Sequence, residues 1–395
     1  MPILRQAGAA LLLSLRMGLA NPRHMALAAT GFLIASGTLL GLLTIPEGIA
    51  RLAARTGLPD IAVVTVGTSP NEAIGGMRNA EQITLIGNLP GVARQADGSA
   101  LVAPQLVVNT NMLRRDGVRT NIVLRGISPV FWEVLGHAVK TRGQPFGPGM
   151  SELMAGAGAA RSFVRLDTGA QVLIRRTPWR ITGEFDTGGS LWDSELWMDI
   201  GSLQDAWNAR GRVSTVWVKL DSPESFEQFA RALSQDPSLR GLEAIRQPDY
   251  YRFQIGFVYR YTSIAAWGVA LLLGLVAVLA IANASSMALK ARRREFAVLR
   301  ALGFHDMALT LALFVEVALI ATLCAVVVVS LGWLVLDGYG VSSATLSQAV
   351  RLQLRVGAAV AGWTIAYAIG LGLLASAWPI RRLLREPLAK SVVGL

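Results

Sequence analysis

Four long apolar runs divide the chain, and each reaches the length of about 20 residues that a membrane-spanning helix requires. We place the predicted transmembrane helices at residues 25–46, about 261–289, 307–336 and 356–378. Charged side chains are absent from these runs except for Glu316. The pattern therefore predicts an α+β membrane protein with four transmembrane helices.

Residues 47–259, between the first two apolar runs, have a different character, with frequent charges, prolines and tryptophans. Alternating apolar positions predict several strands, and Gly169 to Phe185 has the pattern of a β-hairpin. Ser128-Pro129 predicts the start of a helix with Ser128 as its cap. Ser222-Pro223-Glu224 predicts the start of another, in which Phe226, Phe229 and Leu233 share one face. We expect one large, water-exposed, mixed α/β domain of two lobes, the second lobe being an insertion at about residues 141–210.

Acidic residues are frequent near the end of this inserted segment, where Trp192 to Asp199 predicts a loop and an edge strand. The four acids that a metal site would use are Asp186, Asp193, Glu195 and Asp199. Their spacing fits no calcium-loop pattern, so a solvated acidic face is the expected structure. The histidines are far apart in the sequence, and no metal centre is predicted.

A short basic segment, Lys290 to Phe304, connects the second and third predicted helices. Phe296, Leu299 and Leu302 recur at helical spacing, and Val298 pairs with Leu302, which predicts a short helix with one apolar strip. Gly303 is the predicted end of this helix, and Asp306 is the predicted cap of the next one. The bias of Lys and Arg towards this loop places it on the cytoplasmic side. Two roles remain open, an interfacial helix bound to membrane lipids and a docking helix for a cytoplasmic partner.

The other basic residues agree with this orientation. Residues 1–24 are apolar but contain Arg5 and Arg16, which predicts an amphipathic cytoplasmic helix; a secretory signal peptide is the weaker alternative. Basic residues also follow the last apolar run, at Arg381, Arg382, Arg385 and Lys390. We therefore expect both chain ends in the cytoplasm and residues 47–259 on the outer side.

Small residues in the predicted helices favour close packing between them. Gly37 and Gly41 form a GxxxG pair, and Ala270 and Gly274 lie on another stripe of small residues. An ionised carboxylate within a bilayer is costly, so Glu316 is expected to face protein or water. A structural pairing and a relay role both remain open for it.

Composition narrows the classes of function. The chain has 395 residues, of which 52% are hydrophobic, and a net charge of +11. The basic residues concentrate at the ends of apolar runs, which indicates membrane topology rather than nucleic-acid binding. The chain contains no phosphate-loop motif, nucleophile elbow or zinc-protease signature. This pattern favours conformational work across a membrane over enzymatic chemistry.

The segment from Arg293 to Phe304, R-R-E-F-A-V-L-R-A-L-G-F, closely resembles the conserved hairpin motif of MacB/FtsX-type ABC transporter permeases. The arrangement of four helices with a large domain between the first two is similar to that family. So is the segment from Pro379 to Leu388, with its basic run before Glu386-Pro387. In the outer domain the similarity is one of pattern only, at Leu89 to Val92 and Arg125 to Ile127.

The resemblance implies a multi-pass permease of the bacterial inner (plasma) membrane, with a MacB-like periplasmic core domain over residues 47–259 and an FtsX-like domain over 260–395. It also implies a homodimer or paired permeases bound to two copies of a separate ABC ATPase subunit, which would bind ATP and Mg²⁺. The permease itself would hold no cofactor and would not be an enzyme. A periplasmic membrane-fusion adaptor is a further expected partner.

In this family the hairpin helix is the coupling helix that the ATPase grips. The residues that the resemblance assigns to this docking are Arg292, Arg293, Arg294, Glu295, Phe296, Leu299, Arg300, Leu302, Gly303 and Phe304. The resemblance favours a structural role for Glu316, because relatives often carry an acid there. The expected function is export or extraction of a substrate by mechanotransmission. The alternatives are a regulator of a cell-wall hydrolase, as in FtsX-like members, and a lipoprotein-releasing permease.

Overall fold

The structure is a computed structural model that describes residues 2–20, 22–67, 72, 80–345 and 348–385. The predicted tail residues Glu386, Pro387 and Lys390 lie outside this part of the chain. The chain divides into two compact units. The membrane unit comprises Met1–Glu47, Tyr261–Tyr339 and Leu354–Leu395, and the sheet unit comprises Gly48–Arg260 and Gly340–Gln353.

The α-helices are numbered in chain order. They are α1 (Pro2–Ala20), α2 (Pro22–Arg55), α3 (Ala80–Gly87), α4 (Phe131–Leu135), α5 (Ala157–Ser162), α6 (Ile200–Ala206), α7 (Phe226–Gln235), α8 (Gln247–Ala291), α9 (Arg293–Ala301), α10 (Asp306–Leu336) and α11 (Ala358–Arg385).

The strands are numbered in the same way. They are β1 (Ile61–Val66), β2 (Val102–Leu113), β3 (Arg119–Ile127), β4 (Lys140–Gly143), β5 (Glu152–Gly156), β6 (Gln171–Ile174), β7 (Thr177–Asp186), β8 (Glu195–Asp199), β9 (Thr215–Lys219), β10 (Leu242–Arg246), β11 (Gly340–Thr345) and β12 (Gln348–Gln353).

Four helices in the described part of the chain, α2, α8, α10 and α11, are long and apolar enough to cross a membrane. This agrees with the four predicted transmembrane helices. However, α2 does not end at Pro46, the predicted exit, but continues to Arg55. Proline removes one backbone hydrogen bond, yet Ile49 and Leu52 beyond it are buried in the core of the sheet unit. Packing of these apolar residues stabilises the extra turns.

Helix α8 likewise begins earlier than predicted, at Gln247. A run of aromatic residues lies at its start, and aromatic side chains are favoured at a membrane interface. Tyr250 and Tyr251 are instead buried in the core of the sheet unit, while Phe253 and Phe257 are exposed. Two of the aromatics therefore anchor the sheet unit to the first turn of its own helix.

The small residues of the membrane unit differ in what they contact. A Cβ atom added to Gly274 would lie 2.5 Å from the Tyr367 hydroxyl, and this hydroxyl donates a hydrogen bond to the carbonyl of buried Ala270 at 2.5 Å. A Cβ on Gly37 would lie 3.9 Å from Val328, and one on Gly41 would meet nothing within 4 Å. Helices α8 and α11 therefore pack closely at Gly274, whereas the GxxxG pair of α2 makes no tight contact among the described residues.

Ten of the described strands of the sheet unit form one sheet in the order β10-β1-β9-β2-β3-β8-β5-β7-β4, with β6 paired to β7, and β11 pairs with β12 in a separate two-stranded sheet. Most pairs are antiparallel, and β3–β8 and β5–β7 are parallel. The predicted insertion at about residues 141–210 supplies one end of this continuous sheet, and its boundary as a lobe stays a prediction. The structure confirms the expected mixed α/β domain between the first two long helices.

Two predictions from local sequence patterns are confirmed in the sheet unit. The β6–β7 hairpin is confirmed, with Arg175 and Arg176 in its turn at φ of 46° and 68°. Helix α7 buries Phe226, Phe229 and Leu233 on one face, as its periodicity predicts.

Two other predictions about the sheet unit were wrong. Helix α4 starts at Phe131 after a turn in which the Phe131 N–H donates to the Ser128 carbonyl, so Ser128 is not its cap. Strand β8 is not an edge strand but lies between β3 and β5, and all five of its residues are buried.

Candidate functional site

The connection between α8 and α10 contains one short helix, α9, whose bounds are set by its backbone. Arg292 interrupts the long α8 and precedes α9 with φ of −99° and ψ of 7°. Gly303 follows the helix with φ of 90°, a conformation that favours glycine, as the sequence predicts. His305, not the predicted Asp306, caps α10, because its Nδ1 accepts the N–H of Met307 at 3.2 Å.

The apolar residues of α9 divide between two faces. Phe296 and Leu299 are buried against residues of α8, α10 and α11 in one hydrophobic cluster. Val298 and Leu302 remain 53% and 71% exposed. The sequence predicts a single apolar strip. At a rotation of 100° per residue, however, Phe296 and Leu299 lie on one side of the helix, and Val298 and Leu302 lie on another. Of these four side chains, Val298 and Leu302 are therefore the ones that a partner can contact.

Charged residues surround this exposed pair. Arg294 and Glu295 are exposed at the start of α9, and Arg293 is half-buried. The Arg300 Nε lies 2.9 Å from Asp306 Oδ1, which ties the end of α9 to the start of α10. The exposed face of α9, defined by Arg294, Glu295, Val298 and Leu302 and called here the docking face, therefore has an apolar centre with a charged edge.

Arg292 does not belong to the docking face. Its side chain is buried, and its Nη1 donates to Glu316 Oε1 at 3.1 Å and to Ser14 Oγ at 3.3 Å. The Ser14 hydroxyl in turn donates a hydrogen bond to Glu316 Oε2. Glu316 thus contacts protein side chains, and the cluster joins α1, the start of α9 and α10 within the membrane unit.

A cavity of about 60 Å³ adjoins this cluster. Its walls are mostly apolar side chains of α2, α8, α10 and α11, including Phe32, Leu289 and Ile320. Arg292 and Glu316 form a polar part of the lining. The attraction between the two charges is stronger in such surroundings than in water, because the effective dielectric constant is lower.

Three of the four acids predicted to form a solvated face, Asp193, Glu195 and Asp199, are instead buried, whereas Asp186 is exposed as predicted. Asp193 accepts the backbone N–H groups of Thr187 and Gly189 at 2.6 and 2.8 Å, and Asp199 accepts that of Ser202 at 2.9 Å as the cap of α6. Both carboxylates are buried. The described residues contain no group of acids, histidines and cysteines arranged to hold a metal ion.

A second buried charge cluster, which sequence reasoning missed, centres on Arg125 of β3. Its guanidinium donates two hydrogen bonds of 2.7 Å to Glu195 and one of 2.7 Å to Glu72. It also donates one of 2.6 Å to Gln105 and lies 5.0 Å from the ring centroid of Trp217. An Arg within a strand pattern was the only available signal, since its partners are distant in the sequence.

Burial raises the pKa of the Glu72 carboxyl above its ordinary value, although Arg125 beside it acts in the opposite direction. Burial alone would lower the pKa of Arg125, but the charges of Glu195 and Glu72 raise it well above its ordinary value. The arginine therefore stays charged, whereas the protonation state of the Glu72 carboxyl depends on its burial.

Two family models match this chain. The MacB-like periplasmic core domain matches residues 25–236, more than half of the chain, and the FtsX-like permease C-terminal matches residues 267–388. The chain belongs to the MacB/FtsX-type ABC transporter permease family. Permeases of this family are multi-pass membrane components that work with ABC ATPase partners and are not themselves catalytic.

Solved structures of two extracytoplasmic regions are similar to part of this permease. The extracellular domain of the noncanonic ABC-type transporter YknZ from Gram-positive bacteria is 17% identical, with 47% of this chain and 99% of that chain covered and a TM-score of 0.34. The periplasmic region of MacB from Actinobacillus actinomycetemcomitans is 13% identical, with 51% and 94% covered and a TM-score of 0.36. The comparison with curated proteins finds no match.

Proposed function

We propose that this permease couples ATP hydrolysis by a partner ABC ATPase to movement of its sheet unit, and that this movement drives export or extraction of a substrate. In this proposal α9 is the coupling helix and faces the cytoplasm, and the sheet unit lies on the outer side of a bacterial inner membrane. ATP and Mg²⁺ bind to the ATPase. The permease acts as a homodimer or in a pair, so that each copy presents one coupling helix.

The observation that carries the proposal is the docking face. Val298 and Leu302 are large apolar side chains exposed on a short helix between two candidate membrane spans. On the other side of α9, Phe296 and Leu299 fix the helix to the core of the membrane unit. An exposed apolar centre with a charged edge is typical of a protein interface, and buried anchors allow force on the helix to reach the spans.

Val298→Asp tests the docking face, because Val298 is 53% exposed and the change is tolerated by the fold. We expect stimulation of the ATPase by the reconstituted permease to fall by about tenfold or more, since a carboxylate in the apolar centre of an interface is desolvated without a partner. Leu302→Asp should have the same effect. The measurement is ATPase activity and co-purification with the permease in nanodiscs.

Val118→Asp is the matched control, because Val118 in the sheet unit is also 53% exposed. It should leave ATPase binding and stimulation within about twofold of the parent. Leu299→Asp is a poorer test, because it introduces a charge into a buried cluster and would disturb folding as well as docking. Full stimulation by the Val298→Asp permease would contradict the docking assignment.

Co-purification of further proteins tests the substrate part of the proposal. A membrane-fusion adaptor indicates export, and a lipoprotein indicates extraction. A cell-wall hydrolase as the bound partner would instead indicate an FtsX-like regulator and would overturn the transport proposal.

A further inference from the structure

The buried cluster of Ser14, Arg292 and Glu316 is costly to build inside the membrane unit. Removing a carboxylate and a guanidinium from water costs several kcal/mol for each ion, and apolar replacements of similar size are often at least as stable. The pair is surrounded by apolar residues, including Leu313 and Ile380. Stability alone is therefore a weak explanation for the cluster, and its geometry indicates what else it does.

The cluster lies where three elements meet. Arg292 is the single residue between α8 and α9, so its side chain is fixed to the first turn of α9. Glu316 belongs to α10, and Ser14 belongs to α1. The Arg292 Nη1 lies 3.1 and 3.5 Å from the two carboxylate oxygens of Glu316 and 3.3 Å from Ser14 Oγ. One guanidinium thus links α9 to both neighbouring helices.

The apolar contacts of α9 are of another kind. Phe296 and Leu299 contact an apolar cluster, and such contacts are less directional than hydrogen bonds. A charge-assisted hydrogen bond has a preferred distance and direction, and it is strengthened in apolar surroundings. The buried ion pair therefore constrains the position of the α9 start relative to α10 and α1.

We infer that Glu316 is a positioning residue for the coupling helix. Through Arg292 it holds α9 to α10 and α1, so that displacement of α9 by the bound ATPase moves those helices as one body. This inference rests on the proposed function. Loss of the carboxylate charge leaves the docking face and the apolar anchors Phe296 and Leu299 intact, but it lets the start of α9 shift relative to α10 and α1.

Glu316→Gln and Glu316→Asp test this role in the full-length permease with its ATPase in nanodiscs. Glutamine keeps the size and the hydrogen-bonding capacity of the side chain but removes the charge, whereas aspartate keeps the charge. With Gln, we expect ATPase binding within about twofold of the parent but a loss of stimulation of about tenfold, because a buried charge pair is broken. Asp should restore a substantial part of the stimulation.

A distance measurement separates positioning from a merely structural role. Spin labels are placed on Ala301, exposed on α9, and Leu319, exposed on α10, after Cys324 is replaced by alanine. In the parent, the distance between the labels should be narrowly distributed both with and without ATP. In Glu316→Gln it should broaden even without the ATPase. Ser14→Ala should give a smaller broadening, since the ion pair remains.

Three results would overturn the inference. They are normal stimulation of the ATPase by Glu316→Gln, an equal loss of stimulation in Glu316→Gln and Glu316→Asp, and an unchanged distribution of label distances in Glu316→Gln. Failure of the proposed function has a different signature, because the unsubstituted permease would then neither bind nor stimulate the ATPase. The label distances without ATPase would still decide whether Glu316 positions α9.

Discussion

At the scale of single residues, two buried arginines organise the charges of this permease. Arg125 in the sheet unit contacts two carboxylates, Glu72 and Glu195, so the cluster carries one more negative than positive charge when all are ionised. Arg292 in the membrane unit pairs with one carboxylate, Glu316. Burial is the main cause of the raised pKa of Glu72, and the nearby charge of Glu195 acts in the same direction, while Arg125 opposes both.

Glu72→Gln should change the pH dependence of stability. Because the pKa of Glu72 is raised in the folded protein, folding takes up a proton between the ordinary carboxyl pKa and the raised value. The free energy of unfolding of the parent should therefore fall, relative to Glu72→Gln, as the pH rises through this window. The stability at each pH is measured by tryptophan fluorescence during thermal unfolding of the whole chain, since Trp217 lies beside Arg125.

Arg142 provides a control for this measurement, because it is an exposed charged residue of the same sheet. Arg142→Gln should leave the shape of the pH curve unchanged. If the curves of the parent and of Glu72→Gln run parallel throughout the window, the raised pKa of Glu72 is contradicted.

At the scale of elements, close contacts between the long helices are made at a few glycines. Gly274 of α8 accommodates Tyr367 of α11, and Gly372 of α11 accommodates Phe32 of α2, with 3.0 Å from an added Cβ to the ring. Gly332 of α10 similarly faces Leu40 of α2. Close contacts between helices thus form where a glycine lies opposite a large side chain. A pattern of small residues in the sequence does not show where this happens.

Gly274→Leu should destabilise the membrane unit by about 1–3 kcal/mol, the usual cost of overpacking a filled contact. The new side chain would displace the Tyr367 hydroxyl and break its hydrogen bond to Ala270. Thermal unfolding of the detergent-solubilised monomer measures the effect. Gly41→Leu is the control and should be nearly neutral, because a Cβ there has open space around it. Equal destabilisation by both variants would contradict this assignment of the contact.

At the scale of the whole molecule, the proposal depends on which units face which side of the membrane. Both α2 and α8 contribute residues to the membrane unit and to the sheet unit. If α9 is cytoplasmic and the sheet unit is outside, the chain passes through the membrane once along each of these helices.

Cysteine labelling tests this topology in intact cells. In a Cys324→Ala background, Ala301→Cys on α9 should be protected from an impermeant thiol reagent added outside, whereas Val118→Cys in the sheet unit should react. Both positions are exposed, so burial does not explain a difference. Permeabilising the inner membrane should make Ala301→Cys reactive. Labelling of Ala301→Cys in intact cells would contradict the cytoplasmic orientation of the coupling helix.

Features that depend on neighbours along the chain could be predicted from the sequence. The four long apolar helices, the β6–β7 hairpin, the buried face of α7 and the short helix α9 all follow from local length, periodicity and turn residues. The hairpin motif also indicated the family. Each of these elements is specified by residues within a few positions of one another.

The tertiary structure alone decided which residues meet. It placed β8 in the centre of the sheet, divided the apolar residues of α9 between the core and the docking face, and selected Gly274 rather than Gly41 as a close contact. It also joined Ser14, Arg292 and Glu316. Periodicity shows that a helix has an apolar face but not what covers it, because the partners of a buried or charged side chain come from distant segments.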